Sequence, residues 1–145
     1  FFFLAGKLLQ LAKKDHLLIS PAFFHTVIGL ERALKVHYKR KDEAYGWLCE
    51  GSSDPFAELF QRAVDEGLIS DVVISDIRPL PEWTLNLLDE EPESHVGKLA
   101  KVVPKLRNLY FHGTPLMTGE FFFIALQLRE IADALKTSPV RTLLD

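Results

Sequence analysis

Residues 20–38, SPAFFHTVIGLERALKVHY, decide the fold of this chain. Ser20 can cap free amides at the start of a helix, and Pro21 suits the first helical position, where no N–H is needed. The apolar side chains that follow recur three or four residues apart, as on one helix face: Phe23, Val27, Leu30, Leu34 and Tyr38. The pattern predicts a long helix that buries this face and fades in the charged segment 39–43.

Other stretches carry the same spacing and are predicted as helices, at about residues 1–14, 55–66, 95–112 and 118–136. Pro104 lies inside the fourth of the long helices and predicts a kink or a restart there. Helices joined by short links predict an all-α fold, an antiparallel bundle of four to five helices. We expect one domain over residues 1–145.

An irregular insertion is predicted before the fourth long helix, within residues 69–93. Val72, Val73 and Ile74 favour an extended strand, but no second strand is available to pair with them. A short helix is predicted near residues 83–88.

The composition is that of a soluble globular protein, with 48% hydrophobic and 26% charged residues in 145. The single cysteine, Cys49, cannot form an internal disulfide, which favours a reducing compartment. No stretch approaches the roughly 20 apolar residues of a transmembrane helix. We therefore expect a cytoplasmic protein that does not enter the membrane.

The charge is unevenly distributed, although the net charge is only −3. Residues 97–119 contain basic but no acidic side chains, and residues 35–41 form a second basic cluster, from which Lys35, Lys39 and Arg40, together with Lys105, are candidates for RNA binding. The alternative is that these side chains are simply the solvated faces of helices.

Arg107 and His112 form the strongest candidate site, at the predicted end of the fourth long helix. Their spacing alone is weak evidence, since roughly 0.7 such pairs would arise by chance in this composition. Arg32 and His37 form a second pair, but a five-residue step within one helix turns two side chains roughly 140° apart.

The surroundings favour the first pair, because Asn108 and His112 share a helix face and Gly113 lets the chain turn directly afterwards. An arginine can hold a phosphate through two parallel hydrogen bonds, and a histidine can transfer a proton near neutral pH. Together they suit attack of an RNA 2′-hydroxyl on the neighbouring phosphate. The alternative is an arginine paired with a surface carboxylate and a histidine that only ends the helix.

The chain resembles the HEPN superfamily and, within it, the bacterial group DUF4145. The matching segments are residues 24–38 (FHTVIGLERALKVHY), 56–69 (FAELFQRAVDEGLI) and 106–113 (LRNLYFHG), followed by the closing amphipathic helix. In that superfamily the R-x4-6-H motif, with a polar residue after the arginine, forms the active site of metal-independent endoribonucleases.

The resemblance implies catalytic roles for Arg107, Asn108 and His112, with no metal or other cofactor. It also implies a homodimer that brings two motifs together, single-stranded RNA as a ligand, and an antitoxin or phage-defence partner. Other members of the superfamily have lost catalysis, so a non-catalytic dimerisation or sensing module is the alternative. Thr114 stands where some toxins of the superfamily have a modifiable tyrosine, so regulation at that position is not expected.

Glu31 lies among apolar neighbours in the second helix, and a bundle-facing carboxylate needs a partner. One hypothesis is that it orients Arg107, and the alternative is a structural ion pair or an exposed side chain. Tyr45, Trp47 and Trp83 can stack on bases, but such aromatic residues more often belong to the core. A purely structural helical protein, with an incidental arginine and histidine, is the remaining hypothesis.

Overall fold

The computed structural model describes residues 2–45, 55–111 and 119–137. Two 3-10 helices lie in these ranges, at His16–Leu18 and Asp71–Val73. None of the described residues forms a strand. The α-helices of this part of the chain are α1 (Phe2–Ala12), α2 (Ile19–Tyr45), α3 (Pro55–Asp65), α4 (Glu82–Leu85), α5 (His95–Phe111) and α6 (Gly119–Thr137). The predicted all-α class is confirmed for the described residues.

Helix α2 is the centre of the bundle, because α1, α3, α5 and α6 all pack against it. Its predicted apolar face is confirmed, since all of its members are fully buried: Phe23, Val27, Leu30, Leu34 and Tyr38. The helix begins at Ile19, directly after the first 3-10 helix, so Ser20 lies inside it rather than capping it. Pro21 is the third helical residue, still in the first turn, where an N–H would have no helical acceptor.

A ring and an ion pair join α2 to the end of α3. The guanidinium of Arg62 lies 4.1 Å above the Tyr38 ring, and its Nε donates to Glu66 at 3.1 Å. Tyr38 also donates to Glu66, at 3.5 Å. Gly67 then takes a left-handed conformation with φ +75°, as glycine commonly does where a helix ends.

Helix α5 runs through Pro104 without interruption, so the predicted restart is absent from it. Its first amides are all satisfied by side chains. Asp71 accepts hydrogen bonds from the amides of His95 at 3.1 Å and Val96 at 2.8 Å, while Ser94 Oγ accepts from Gly97 at 3.0 Å. Ser94 thus caps α5, and Asp71 adds a second cap from a distant part of the chain.

Helices α2 and α5 are antiparallel, as the bundle prediction requires of neighbours. Tyr110, near the end of α5, stacks on Phe24 near the start of α2 with ring centroids 4.8 Å apart. One turn earlier in α5, Arg107 meets Glu31, two turns further along α2.

The insertion, residues 69–93, is irregular as predicted and contains α4, which confirms a short helix close to residues 83–88. Residues 72–74 do not form a strand: Asp71–Val73 is a 3-10 turn, and Ile74 is buried in the core. Ser75 fastens the segment to α6, because its amide and its hydroxyl each donate to Glu130 at 2.6 Å. Contacts with α5 and α6 therefore take the place of strand pairing.

None of the helices in the described ranges combines the length and the apolar character that crossing a membrane requires.

Candidate functional site

Arg107 lies in the last two turns of α5 and points towards α2. Its Nη1 lies 3.4 Å from Oε1 of Glu31, and only 13% of its side chain is exposed. Two of the sequence hypotheses give the Glu31 carboxylate a partner: in one it orients Arg107, and in the other it belongs to a structural ion pair. In the structure, Arg107 is a partner of Glu31. This contact is common to the two hypotheses, an orienting role for Glu31 and a structural ion pair, and it does not distinguish between them.

The same carboxylate oxygen also receives Lys35, whose Nζ lies 3.3 Å away on the next turn of α2. Glu31 thus faces two cations, and its own side chain is 22% exposed. On the other side of Arg107, the ring of Phe56 from α3 lies 5.1 Å from the guanidinium carbon. Three helices, α2, α3 and α5, therefore fix the position of one arginine.

Asn108 lies on the exposed side of α5, next to Arg107 in sequence. Its Oδ1 accepts a hydrogen bond of 3.4 Å from Arg107 Nη2. The structure therefore brings together two of the three predicted catalytic residues, Arg107 and Asn108. His112 and Thr114 lie outside the described residues.

The predicted RNA-binding residues do not form one cluster with the arginine. Lys35 joins it through Glu31, and Lys39 is exposed one turn further along α2. The backbone of Arg40 belongs to α2, but its side chain is outside the described part of the structure. Lys105 donates 2.6 Å to the carbonyl of Leu87 in the insertion, so it faces the insertion and not the Glu31 side of α5.

The second arginine–histidine pair is divided between two faces of α2, as predicted. Arg32 is exposed, whereas His37 is only 7% exposed and packs edge-on against the Tyr38 ring, with centroids 5.0 Å apart. These two residues do not line a common surface.

Trp83, from α4, is exposed in part and lies against Phe121 at a centroid distance of 6.1 Å. It therefore contacts the core on one side, while 44% of the residue stays exposed. The side chains of Tyr45 and Trp47 are outside the described residues.

The geometry around Arg107 permits two chemical uses. A carboxylate that holds one edge of a guanidinium can orient the remaining N–H groups towards an incoming anion, as bidentate phosphate binding requires. The same contacts also suit a structural ion pair, which stabilises the crossing of α2 and α5 and needs no ligand. The exposed Asn108 amide beside the arginine is the feature that favours the first use.

A second group of basic residues, absent from the sequence predictions, lines a cleft between α1 and α6 and includes Lys13 and Arg129. The sequence predictions gave these positions no role. The one available signal was Gly6, a glycine in a helix that needs no turn at that point.

In comparisons with known proteins, no family model, no curated protein and no solved structure matches this chain. The HEPN resemblance and the roles it implies stay predictions.

Proposed function

We propose that this chain is a HEPN-like, RNA-binding domain that acts as a metal-independent endoribonuclease. The observation that carries the proposal is the Arg107 guanidinium, held by Glu31 from α2 and bonded to the exposed Asn108. This arrangement lies on the last turns of α5, directly before the segment that contains His112.

In the proposed reaction, Arg107 holds the non-bridging oxygens of the scissile phosphate and offsets the negative charge that builds up on them. His112 accepts the proton of the RNA 2′-hydroxyl, whose oxygen then attacks the neighbouring phosphorus. The bond from phosphorus to the 5′-oxygen breaks, and that oxygen receives a proton as it leaves. The products are a 2′,3′-cyclic phosphate and a free 5′-hydroxyl, and Asn108 positions the phosphate.

A homodimer is part of the proposal, because one motif supplies only one arginine and one histidine. Two copies that bring their α5 ends together would provide a doubled set of charges for one RNA strand. A role in phage defence or beside an antitoxin belongs to the same proposal, since free ribonuclease activity in a cell needs control.

A non-catalytic dimerisation or sensing module is the second candidate. The observation that favours it is the low exposure of Arg107, whose guanidinium already has a carboxylate partner within the chain. Such an arginine stabilises the helix crossing whether or not RNA is bound.

Cleavage of single-stranded RNA in the presence of EDTA tests the proposal. Arg107→Ala and His112→Ala should each lower the cleavage rate by about 100-fold or more, the effect typical of a lost acid–base or charge-stabilising group. Arg32→Ala is the matched control, because this exposed arginine belongs to the other arginine–histidine pair and should leave the rate unchanged.

Equal rates in the wild type and both site variants would remove the catalytic assignment. RNA binding without any cleavage by the wild type would favour the non-catalytic module, and a folded Arg107→Ala protein is required for either conclusion. Sedimentation of the wild type tests the dimer separately.

A further inference from the structure

A basic cleft lies between α1 and α6, away from the Glu31–Arg107 pair. It has a volume of about 380 Å³, with the leucines Leu9 and Leu126 among its walls and Arg129 on the α6 side. A second groove, of about 540 Å³, continues from it along α1, and the two share Lys7, Gln10 and Lys13. The size is within the range of small-ligand sites.

The lining of this surface is entirely free of carboxylates among the described residues. Its charged groups are Lys7, Lys13, Lys14 and Arg129. Four cations therefore converge on one region of a chain whose net charge is −3. Such a concentration of one sign raises the local potential and attracts anions.

Arg129 differs from three other arginines in the described part of the chain. Arg62, Arg78 and Arg107 each form an ion pair with a carboxylate. Within the described part of the chain, the half-buried Arg129 has no ion pair and its side chain makes no hydrogen bond. A guanidinium that is half-buried without a protein acceptor keeps its N–H donors available to an anion.

Gly6 creates the position that this guanidinium occupies. A Cβ atom at residue 6 would collide with Nη1 of Arg129 and would lie 2.7 Å from Nη2 and 2.9 Å from the guanidinium carbon. The guanidinium therefore rests directly on the backbone of α1, where only glycine leaves room. Glycine inside a helix costs about 1 kcal/mol relative to alanine, so its presence there needs a reason such as this contact.

We propose that the cleft between α1 and α6 binds the phosphate of an anionic ligand of nucleotide size, through Arg129 and through Lys13, the residue that follows α1. The planar guanidinium supplies two parallel donors to the phosphate oxygens, and Lys13 adds a point charge. Leu126, which is only partly buried, offers an apolar surface to the rest of the ligand. A free nucleotide and a phosphate of an RNA chain provide the same chemistry. The inference does not depend on the proposed ribonuclease activity.

Calorimetric titration tests the proposal with three probes: inorganic pyrophosphate, 5′-AMP and a short single-stranded RNA. We expect binding that weakens as salt is added, and an affinity at least about tenfold lower in Arg129→Gln, which lacks the charged donors. Gly6→Ala is the second variant. It retains every charge but displaces the guanidinium, so it should lower the affinity while the thermal midpoint stays level or rises.

Lys101→Gln is the matched control, since it removes an exposed lysine from α5 without touching the cleft. Binding of pyrophosphate or 5′-AMP that depends on Arg129 and Gly6 would support a small-ligand site. Binding of RNA alone with the same dependence would support an RNA phosphate as the ligand. Absence of binding by all probes, or an equal loss in Lys101→Gln, would overturn the proposal.

The two proposals fail separately. RNA cleavage that is lost in Arg107→Ala but intact in Arg129→Gln leaves the ribonuclease assignment in place, whatever the titrations show. Phosphate binding that depends on Arg129 stands even if no RNA is cleaved.

Discussion

Glu31 accepts two cations through one oxygen: Arg107 Nη1 lies 3.4 Å from its Oε1, and Lys35 Nζ lies 3.3 Å from the same atom. The two contacts differ in their surroundings. Arg107 reaches Glu31 across the crossing of α5 and α2 and is 13% exposed, whereas Lys35 is a neighbour on the same helix and is 54% exposed. The crossing contact should therefore matter for stability, and the contact within the helix should not.

A double-mutant cycle measures the first contact. Glu31→Gln and Arg107→Met should each lower the free energy of unfolding by about 1–3 kcal/mol. Each substitution leaves the other, mostly buried member of the pair without an opposite charge across the helix crossing. The double variant should lose less than the sum, with a coupling of about 1 kcal/mol. Lys35→Met is the control and should change the free energy by less than about 0.5 kcal/mol. Additive losses measured in urea would contradict the pairing.

Removing the cap that Asp71 places on α5 should lower the free energy of unfolding more than breaking a surface ion pair does. Asp71→Ala removes the acceptor for the amides of His95 and Val96 and should cost about 1–2 kcal/mol of unfolding free energy. Asp76→Ala, which breaks only an exposed pair with Arg78, should cost less than about 0.5 kcal/mol. Similar midpoints for the two variants in denaturant titrations would argue against the cap.

Two glycines with open space around them isolate the effect of backbone conformation. An added Cβ would meet nothing within 4 Å at either Gly67 or Gly119, but only Gly67, with φ +75°, is left-handed among the described residues. Gly67→Ala should therefore destabilise the protein by about 1 kcal/mol. Gly119→Ala, at the first position of α6, should be neutral or slightly stabilising. Thermal unfolding of both variants gives the comparison, and an equal shift would refute it.

Breaking the contact of Ser75 with Glu130 should loosen the insertion locally and leave the stability of the whole protein nearly unchanged. Glu130→Ala removes both acceptors at 2.6 Å, so the Ser75 amide should exchange its hydrogen at least about tenfold faster. The midpoint of global unfolding should change little, since these hydrogen bonds lie at the exposed surface. NMR gives the exchange rate of the Ser75 amide, and thermal unfolding gives the midpoint. Asp76→Ala again provides the control. Unchanged exchange at Ser75 would show that something else holds the insertion.

The sequence was sufficient for the parts of the fold that depend on local spacing. The buried face of α2 follows from residues three and four apart, and Gly67 and Ser94 mark helix ends by their own chemistry. The insertion was not predictable in the same way. Asp71 acts on amides 24 and 25 residues away, and Ser75 acts on a carboxylate 55 residues away. β-Branched residues such as Val72 favour a strand locally, but these distant contacts decide the conformation.

The candidate site shows the same division. A carboxylate among apolar neighbours at Glu31 implied a partner, yet only the angle at which α5 crosses α2 selects Arg107. Arg129 was missed because its significance depends on Gly6, which is 123 positions earlier and on another helix. Spacing within one helix carries no information about such a contact.

The position of Asp71 also bears on how this architecture can change in evolution. Segments between helices usually tolerate shortening, because the helices they connect keep their own ends. Residues 69–93 cannot be exchanged so freely: the same segment that links α3 to α5 also satisfies the first amides of α5 and contributes Ile74 and Leu80 to the core. A shortened version would need a new acceptor at His95 and a new apolar cover beside α6 at the same time. The segment is thus an integral part of the helical bundle and not an addition to it.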